Sequence, residues 1–354
     1  MPADLDRPET YLKLDPNDLL SRIRELPQQC RLAWEKGLRF PLPAEYRDID
    51  KVVVLGMGGS AIGGDLLRCL ALEQSPTPIF VQRDYTLPPF VNARTLVIAS
   101  SYSGNTEETL SAFDQALAGP AMKLALTTGG KLKARADKKG VPVLGIAYKS
   151  EPRSALAHSF MPLLAICQRL SVLPDHSAAV DEMLREMDAL SRELDRGVPL
   201  ARNPAKQLAT RLHGRMGLVY SAGFLADAAR RWKTQLNENS KAWAFFELLP
   251  ELNHNSVVGY EFPPQVGKSA FAVFLRSPLL HPRVLKRYDL TADILRQAGV
   301  DSETVQARGQ SRLSQMMGLV LFGDFVSYYL ALLNGVDPAP VKVIDRLKKR
   351  LAEG

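Results

Sequence analysis

Cysteine is scarce: Cys30, Cys69 and Cys167 are the only three in a chain of 354 residues. The number is odd, the spacing is wide and no Cys-x-x-Cys pair occurs. Neither a disulfide framework nor a zinc ribbon is indicated, and a reducing compartment fits. Histidine is also sparse, with five in all. No histidine-rich or carboxylate cluster suggests a metal site. No uninterrupted apolar run is long enough to cross a bilayer. Residues 316–333 come nearest, but they carry Asp324 and two tyrosines. The start, Met1-Pro2-Ala3-Asp4, lacks the basic-then-apolar pattern of a secretion signal. The expectation is a cytoplasmic protein with no membrane partner.

Charge of one sign is not concentrated either. The net charge is +7, with 45 basic and 38 acidic residues. The densest basic runs, 131–139 and 346–350, are not interleaved with aromatics as a base-stacking surface requires. The balance therefore suits a small anionic substrate, and no nucleic-acid partner is expected. Hydrophobic residues make up 46% and charged residues 23%, the proportions of an ordinary globular chain of two or three domains.

What is present is a repeating rhythm. Residues 1–48 read as a polar helical segment, with Asp15-Pro16-Asn17-Asp18 capping a helix over 19–26. Then Lys51-Val52-Val53-Val54-Leu55 is a short apolar run ended by glycine, a buried strand. Further strands are expected at 78–82, 95–99, 123–126 and 141–146. Helices fall at 61–72, 107–118, 131–138 and 153–170. Fully apolar strands alternating with helices predict a parallel sheet covered on both faces. Residues 173–198 read as a helical linker. The alternation restarts beyond it, with strands at 217–221, 256–259, 271–275 and 304–307. Helices are expected at 204–213, 224–239, 282–298, 313–333 and 341–351. The fold class is α/β, with two mainly parallel subdomains at 49–172 and 201–354.

Two loops are built for an anion. The first strand runs into Gly56-Met57-Gly58-Gly59-Ser60-Ala61. Glycines there let the backbone approach a ligand, and the free N–H groups of the helix that follows favour negative charge. A bare Gly-x-Gly also suits a dinucleotide or a plain tight turn, and no Walker-type Gly-Lys-Ser/Thr ending is present. The second loop, Ser100-Ser101-Tyr102-Ser103-Gly104-Asn105-Thr106-Glu107-Glu108, places a cluster of hydroxyls at the carboxyl end of a strand, where open α/β sheets bind ligands. A helix cap needs one such side chain, and this loop offers several. Neither loop contains lysine or arginine, so neutral donors would hold the phosphate.

The two loops in this order resemble the SIS domain of sugar isomerases and sugar-sensing regulators. The resemblance implies that Ser60, Ser101, Ser103 and Thr106 hold a sugar phosphate. Gly58 and Gly59 would lie against the sugar, with Gly59 also toward the phosphate. Sensing alone would need no more, and such a regulator is the alternative. An aldose–ketose isomerase also needs a base to move a proton between C1 and C2, and a positive group to hold the enediolate. Glu238 ends a helix before a stretch rich in aromatics, where lost solvation would raise a carboxylate towards a useful base. Its ordinary alternative is a solvated helix-end glutamate, and that of His254 a plain loop histidine.

The run Asn237-Glu238-Asn239-Ser240-Lys241, followed by Leu252-Asn253-His254-Asn255, resembles the bifunctional phosphoglucose/phosphomannose isomerases. The resemblance covers the chain from Gly56 to Lys348. It implies that Glu238 shuttles the C1/C2 proton, and that His254 assists ring opening from the neighbouring subunit of a homodimer. Pro152-Arg153-Ser154-Ala155-Leu156 matches the motif whose arginine stabilises the enediolate. Asp337-Pro338-Ala339-Pro340-Val341 and Leu347-Lys348 match the closing motif, which gives Lys348 a part in ring opening, with Lys342 and Lys349 as rivals. No metal or redox cofactor is implied. Ala339 stands where the family often has threonine, which bears on acceptance of the mannose epimer.

Overall fold

The computed structural model describes residues 3–351 and 353. The chain divides into two compact units: Glu25–Leu184, and residues up to Arg24 together with those from Arg185 onward. Two short helices, α1 (Pro8–Leu14) and α2 (Leu19–Arg24), thus belong with the C-terminal part of the chain. The carboxylate of Asp15 accepts hydrogen bonds from the amides of Leu19 (2.8 Å) and Leu20 (3.1 Å), the cap expected from the sequence.

The first unit holds α3 (Leu26–Arg39), β1 (Lys51–Leu55), α4 (Gly58–Ala71), β2 (Ile79–Gln82), β3 (Thr95–Ser100), α5 (Glu107–Ala118), β4 (Met122–Thr127), α6 (Gly130–Lys138), β5 (Val143–Gly145) and α7 (Leu156–Arg169). Its five strands are parallel, in the order β2-β1-β3-β4-β5. Side chains alternate across the sheet. Val53, Leu55, Val97 and Ala99 share a cluster with Leu110, Phe113 and Ala116 of α5 and Leu132 of α6. Val54 faces α4, where Gly64 leaves room for it: a Cβ there would lie 2.9 Å from a Val54 methyl. All three cysteines are free and buried in this unit, Cys30 on α3, Cys69 on α4 and Cys167 on α7. Burial pushes the Cys167 thiol up to about 12.

Helix α8 (Ser177–Glu193) occupies most of the expected linker. The second unit continues with α9 (Pro204–Leu212), β6 (Met216–Ala222), α10 (Ala226–Glu238), β7 (Ala244–Leu249), α11 (Pro264–Ser269), β8 (Ala270–Arg276), α12 (Pro282–Gln297), β9 (Asp301–Gln306), α13 (Arg312–Leu333) and α14 (Lys342–Leu351). Its sheet is again parallel, in the order β7-β6-β8-β9. The apolar α13 is long enough to cross a membrane by length and composition, but 89% of its most apolar window is buried inside the protein. Asp324 on this helix pairs with Arg231 of α10 at 3.0 Å, both nearly inaccessible.

The strand expected at 256–259 is not formed; Ser256–Glu261 is a 3-10 helix. Its β-branched pair, Val257 and Val258, finds no sheet, and Val258 is largely exposed. The edge of the second sheet is taken instead by β7, from the aromatic stretch after Glu238.

Candidate active site

In a sheet ordered 2-1-3-4-5, the strand order reverses between β1 and β3, and a crevice opens beyond their carboxyl ends. The register pairs Leu55 with Ala99, so the loops that follow emerge side by side. They are the two loops singled out from sequence. Helix α4 begins within the first, with Gly58, Gly59 and Ser60 as its opening turn and no side chain capping it. The first amides of a helix lack intrahelical partners and can face an anion. Gly58 adopts φ +49° with open space around its missing Cβ.

The hydroxyls are tied together. The Tyr102 amide donates to Ser60 Oγ at 3.0 Å, joining one loop to the other. Ser101 Oγ and Thr106 Oγ1 lie 2.9 Å apart, and the Gly104 amide donates to Ser101 Oγ at 3.1 Å. Ser103 Oγ accepts from the Asn105 amide at 3.2 Å. Thr106 sits at the N-cap of α5 without making the capping bond. Hydroxyls that accept from the backbone keep an O–H to donate, which is what a phosphate oxygen requires.

Arg153 lies in the 3-10 turn Pro152–Ala155 that precedes α7, and is 3% exposed. This is not the surface position open to an arginine at a helix start. A Cβ placed on Gly59 would come within 2.9 Å of the Pro152 carbonyl oxygen and 3.2 Å of Arg153 Cα. The glycine loop and the arginine turn are therefore in backbone contact. The first unit gathers Gly58, Gly59, Ser60, Ser101, Ser103, Thr106 and Arg153.

Glu238 is the last residue of α10 and is half-buried. It lines a cavity of about 770 Å³ with Lys241, Trp243, Asp337 and Lys342. The residues after it hold it in place. Asn239 Nδ2 donates to Ser327 Oγ (3.0 Å), Ser240 Oγ to the Ser327 carbonyl (2.6 Å), and Lys241 Nζ to the carbonyls of Glu238 (2.5 Å) and Pro338 (3.1 Å). The sequence showed these as a motif, but the anchoring roles of Asn239, Ser240 and Lys241 were not read from it. Of the rival lysines, Lys342 lines the cavity, whereas Lys348 is exposed further along α14.

His254 is not beside Glu238. Glu238 precedes β7 and His254 follows it, in the 3-10 turn Glu251–His254. Six residues of strand separate their ends by about 20 Å. His254 is exposed, on a loop pinned by Asn253 Nδ2 to Thr291 Oγ1 at 2.8 Å. Among the described residues no group of three or more histidine, cysteine or carboxylate side chains is placed to hold a metal.

A doubly wound parallel sheet with glycine and hydroxyl loops at its switch point, followed by a second parallel sheet of like order, defines a two-sheet α/β protein with a candidate anion site. The family described as the bacterial phospho-glucose isomerase C-terminal SIS domain matches residues 201–351. A bifunctional phosphoglucose/phosphomannose isomerase of Caldicellulosiruptor bescii is 42% identical, over 95% of this chain and 99% of that protein. Its counterpart from Aquifex aeolicus is 37% identical, over 87% and 94%. The crystal structure of a glucose-6-phosphate isomerase like protein from Thermus thermophilus superposes with a TM-score of 0.67 at 22% identity, covering 97% of this chain and 99% of that one, a likeness of fold. The chain belongs to the family of bifunctional phosphoglucose/phosphomannose isomerases.

Proposed function

We propose that this protein interconverts glucose 6-phosphate and fructose 6-phosphate, and accepts mannose 6-phosphate, through a cis-enediol in the cytoplasm. The observation that carries the reading is the backbone contact between the glycine loop and the buried Arg153 turn, in a chain of this family. A sensor has no need of a buried arginine in a turn packed on its glycine loop, which disfavours the regulator.

Ser60, Ser101, Ser103 and Thr106 hold the phosphate with the amides of Gly58 and Gly59. By the family resemblance His254 and Lys348 move the proton that opens the ring, with Lys342, which lines the Glu238 cavity, as the rival lysine. The Glu238 carboxylate takes the proton from C2 of the open aldose; electrons shift into C1–C2 and onto the C1 oxygen. Arg153 stabilises that negative charge and stays protonated throughout. The proton of the C2 hydroxyl passes to the C1 oxygen, the C2 carbonyl forms as the double bond opens, and the same carboxylate returns its proton to C1, giving the ketose. The about 20 Å between the ends of β7 supports a homodimer in which His254 serves the partner's sugar.

The test is a coupled assay in EDTA, from fructose 6-phosphate to glucose 6-phosphate, repeated from mannose 6-phosphate. Glu238→Gln keeps shape and removes the base, so kcat falls by about 100-fold or more with KM little changed. A loss below tenfold overturns the assignment of Glu238. Turnover confined to the glucose–fructose pair would trace to Ala339, whose buried methyl replaces a hydroxyl.

A further inference from the structure

Tyr102 stands between the two phosphate-loop serines as the unspecified residue of Ser-x-Ser, and nothing so far assigns it a task. It is bonded on three sides. Its amide donates to Ser60 Oγ at 3.0 Å. Its carbonyl accepts from the Thr128 amide (3.0 Å) and hydroxyl (2.7 Å), which fixes the loop to the end of β4. Its phenol crosses to the segment leading into the arginine turn: the O–H donates to the Tyr148 carbonyl at 2.6 Å and accepts from the Ser150 amide at 2.8 Å. Ser150 Oγ in turn donates to the Glu151 carbonyl at 3.0 Å, one residue before the turn Pro152–Ala155.

The backbone bonds of Tyr102 would survive any side chain. The two phenol bonds would not, and they alone connect this residue to the arginine segment. The far side of that segment is also held, since Tyr148 Oη accepts from Gln29 Nε2 at 2.9 Å and its ring stacks on His158 at 5.0 Å. A single hydroxyl thus spans from the phosphate loop to residues 148–150, and these run directly to Arg153.

We infer that Tyr102 is a positioning residue: its phenol sets Arg153 at a fixed place relative to the bound phosphate. This rests on the reading of Arg153 as the group that stabilises the enediolate. Phosphate binding draws on the loop backbone and the serines, so KM should not depend on the phenol. The transition state draws on Arg153, so kcat should. Misplacing a charged donor by a fraction of an ångström weakens only the interaction that develops during reaction.

The experiment compares wild type, Tyr102→Phe, Arg153→Gln and the double variant, with fructose 6-phosphate as substrate and thermal unfolding alongside. Phenylalanine keeps the ring and deletes the two bonds. Tyr102→Phe is expected to lower kcat about tenfold, with KM within about twofold of wild type. Arg153→Gln is expected to lower kcat about 100-fold or more. The double variant should be no slower than Arg153→Gln alone, because the tyrosine acts through the arginine. Wild-type kcat in Tyr102→Phe overturns the inference, as does a lowered melting temperature with kcat unchanged. Losses that multiply in the double variant overturn it too. If Arg153→Gln is crippled while Tyr102→Phe is not, the inference alone falls. If Arg153→Gln retains full kcat, the assigned role of Arg153 falls and the inference with it.

Discussion

Two adjacent glycines in the first loop are required for different reasons, and the difference can be measured. Gly58 has open space around it but a positive φ, so Gly58→Ala should cost about 1 kcal/mol of backbone strain and leave the site its shape. Gly59 has an ordinary φ, but its missing Cβ is the room taken by Pro152 and Arg153 backbone. Gly59→Ala must displace the arginine turn, and the neighbour is not a flexible side-chain tip. Its kcat should fall at least about tenfold, with about 1–3 kcal/mol lost in urea unfolding. A Gly59→Ala enzyme with full kcat would show that the turn yields without consequence. The Gly-x-Gly-Gly pattern was legible in sequence as an anion loop, yet it could not say which glycine serves conformation and which serves packing. That distinction belongs to a contact between residues nearly a hundred positions apart. The burial of Arg153 was hidden for the same reason.

The strands whose limits follow most directly from sequence are the ones buried on both faces. In β1 and β3 every internal residue is apolar and the ends are marked by glycine or serine, so length and position follow directly. Strand β7 is an edge, with Phe245 and Glu247 exposed, and its aromatics resembled the lining of a pocket more than a strand. Val257 and Val258 gave the opposite error, for β-branching suggests a strand only where a partner edge exists. Helix α7 carries a further consequence. His158 stacks on Tyr148, and burial, with Lys36 nearby, pushes it down to about 4. The unfolded chain binds this proton near pH 6.5 and the folded one does not until about 4. Between those values acid favours unfolding, so stability is lost as pH falls from about 6.5 and levels off below about 4. His176, also pushed down by burial, adds in the same direction. Unfolding free energies from urea titrations between pH 7 and about 4.5 should fall more steeply for wild type than for His158→Phe, by up to about 1.4 kcal/mol per pH unit. Parallel curves would remove His158 from the account.

Across the whole molecule, the division of the chain escaped local reading. Residues 1–48 formed one helical segment on sequence grounds, yet the residues up to Arg24 pack with the C-terminal unit. The links are long-range: Tyr328 donates to Asp15 at 2.9 Å, and the fully buried Lys206 donates to the Leu5 carbonyl at 2.7 Å and to Asp6 at 2.9 Å. Local periodicity contains no record of such partners. The placement of Glu238 and His254 at opposite ends of β7 has a test at this scale. Glu238→Gln and His254→Ala, each crippled alone, should regain about one quarter of wild-type activity when unfolded and refolded together. In the proposed homodimer half the dimers are then mixed, and each mixed dimer rebuilds one of its two sites. No recovery would place both residues in one chain's own site. The cysteines lend the molecule a further property. All three thiols sit inside the first unit, while the rest of the chain has none. A thiol can be alkylated only when its surroundings open. The protein therefore carries a built-in clock, in which the rate of thiol labelling times the breathing of the first unit and is blind to the other.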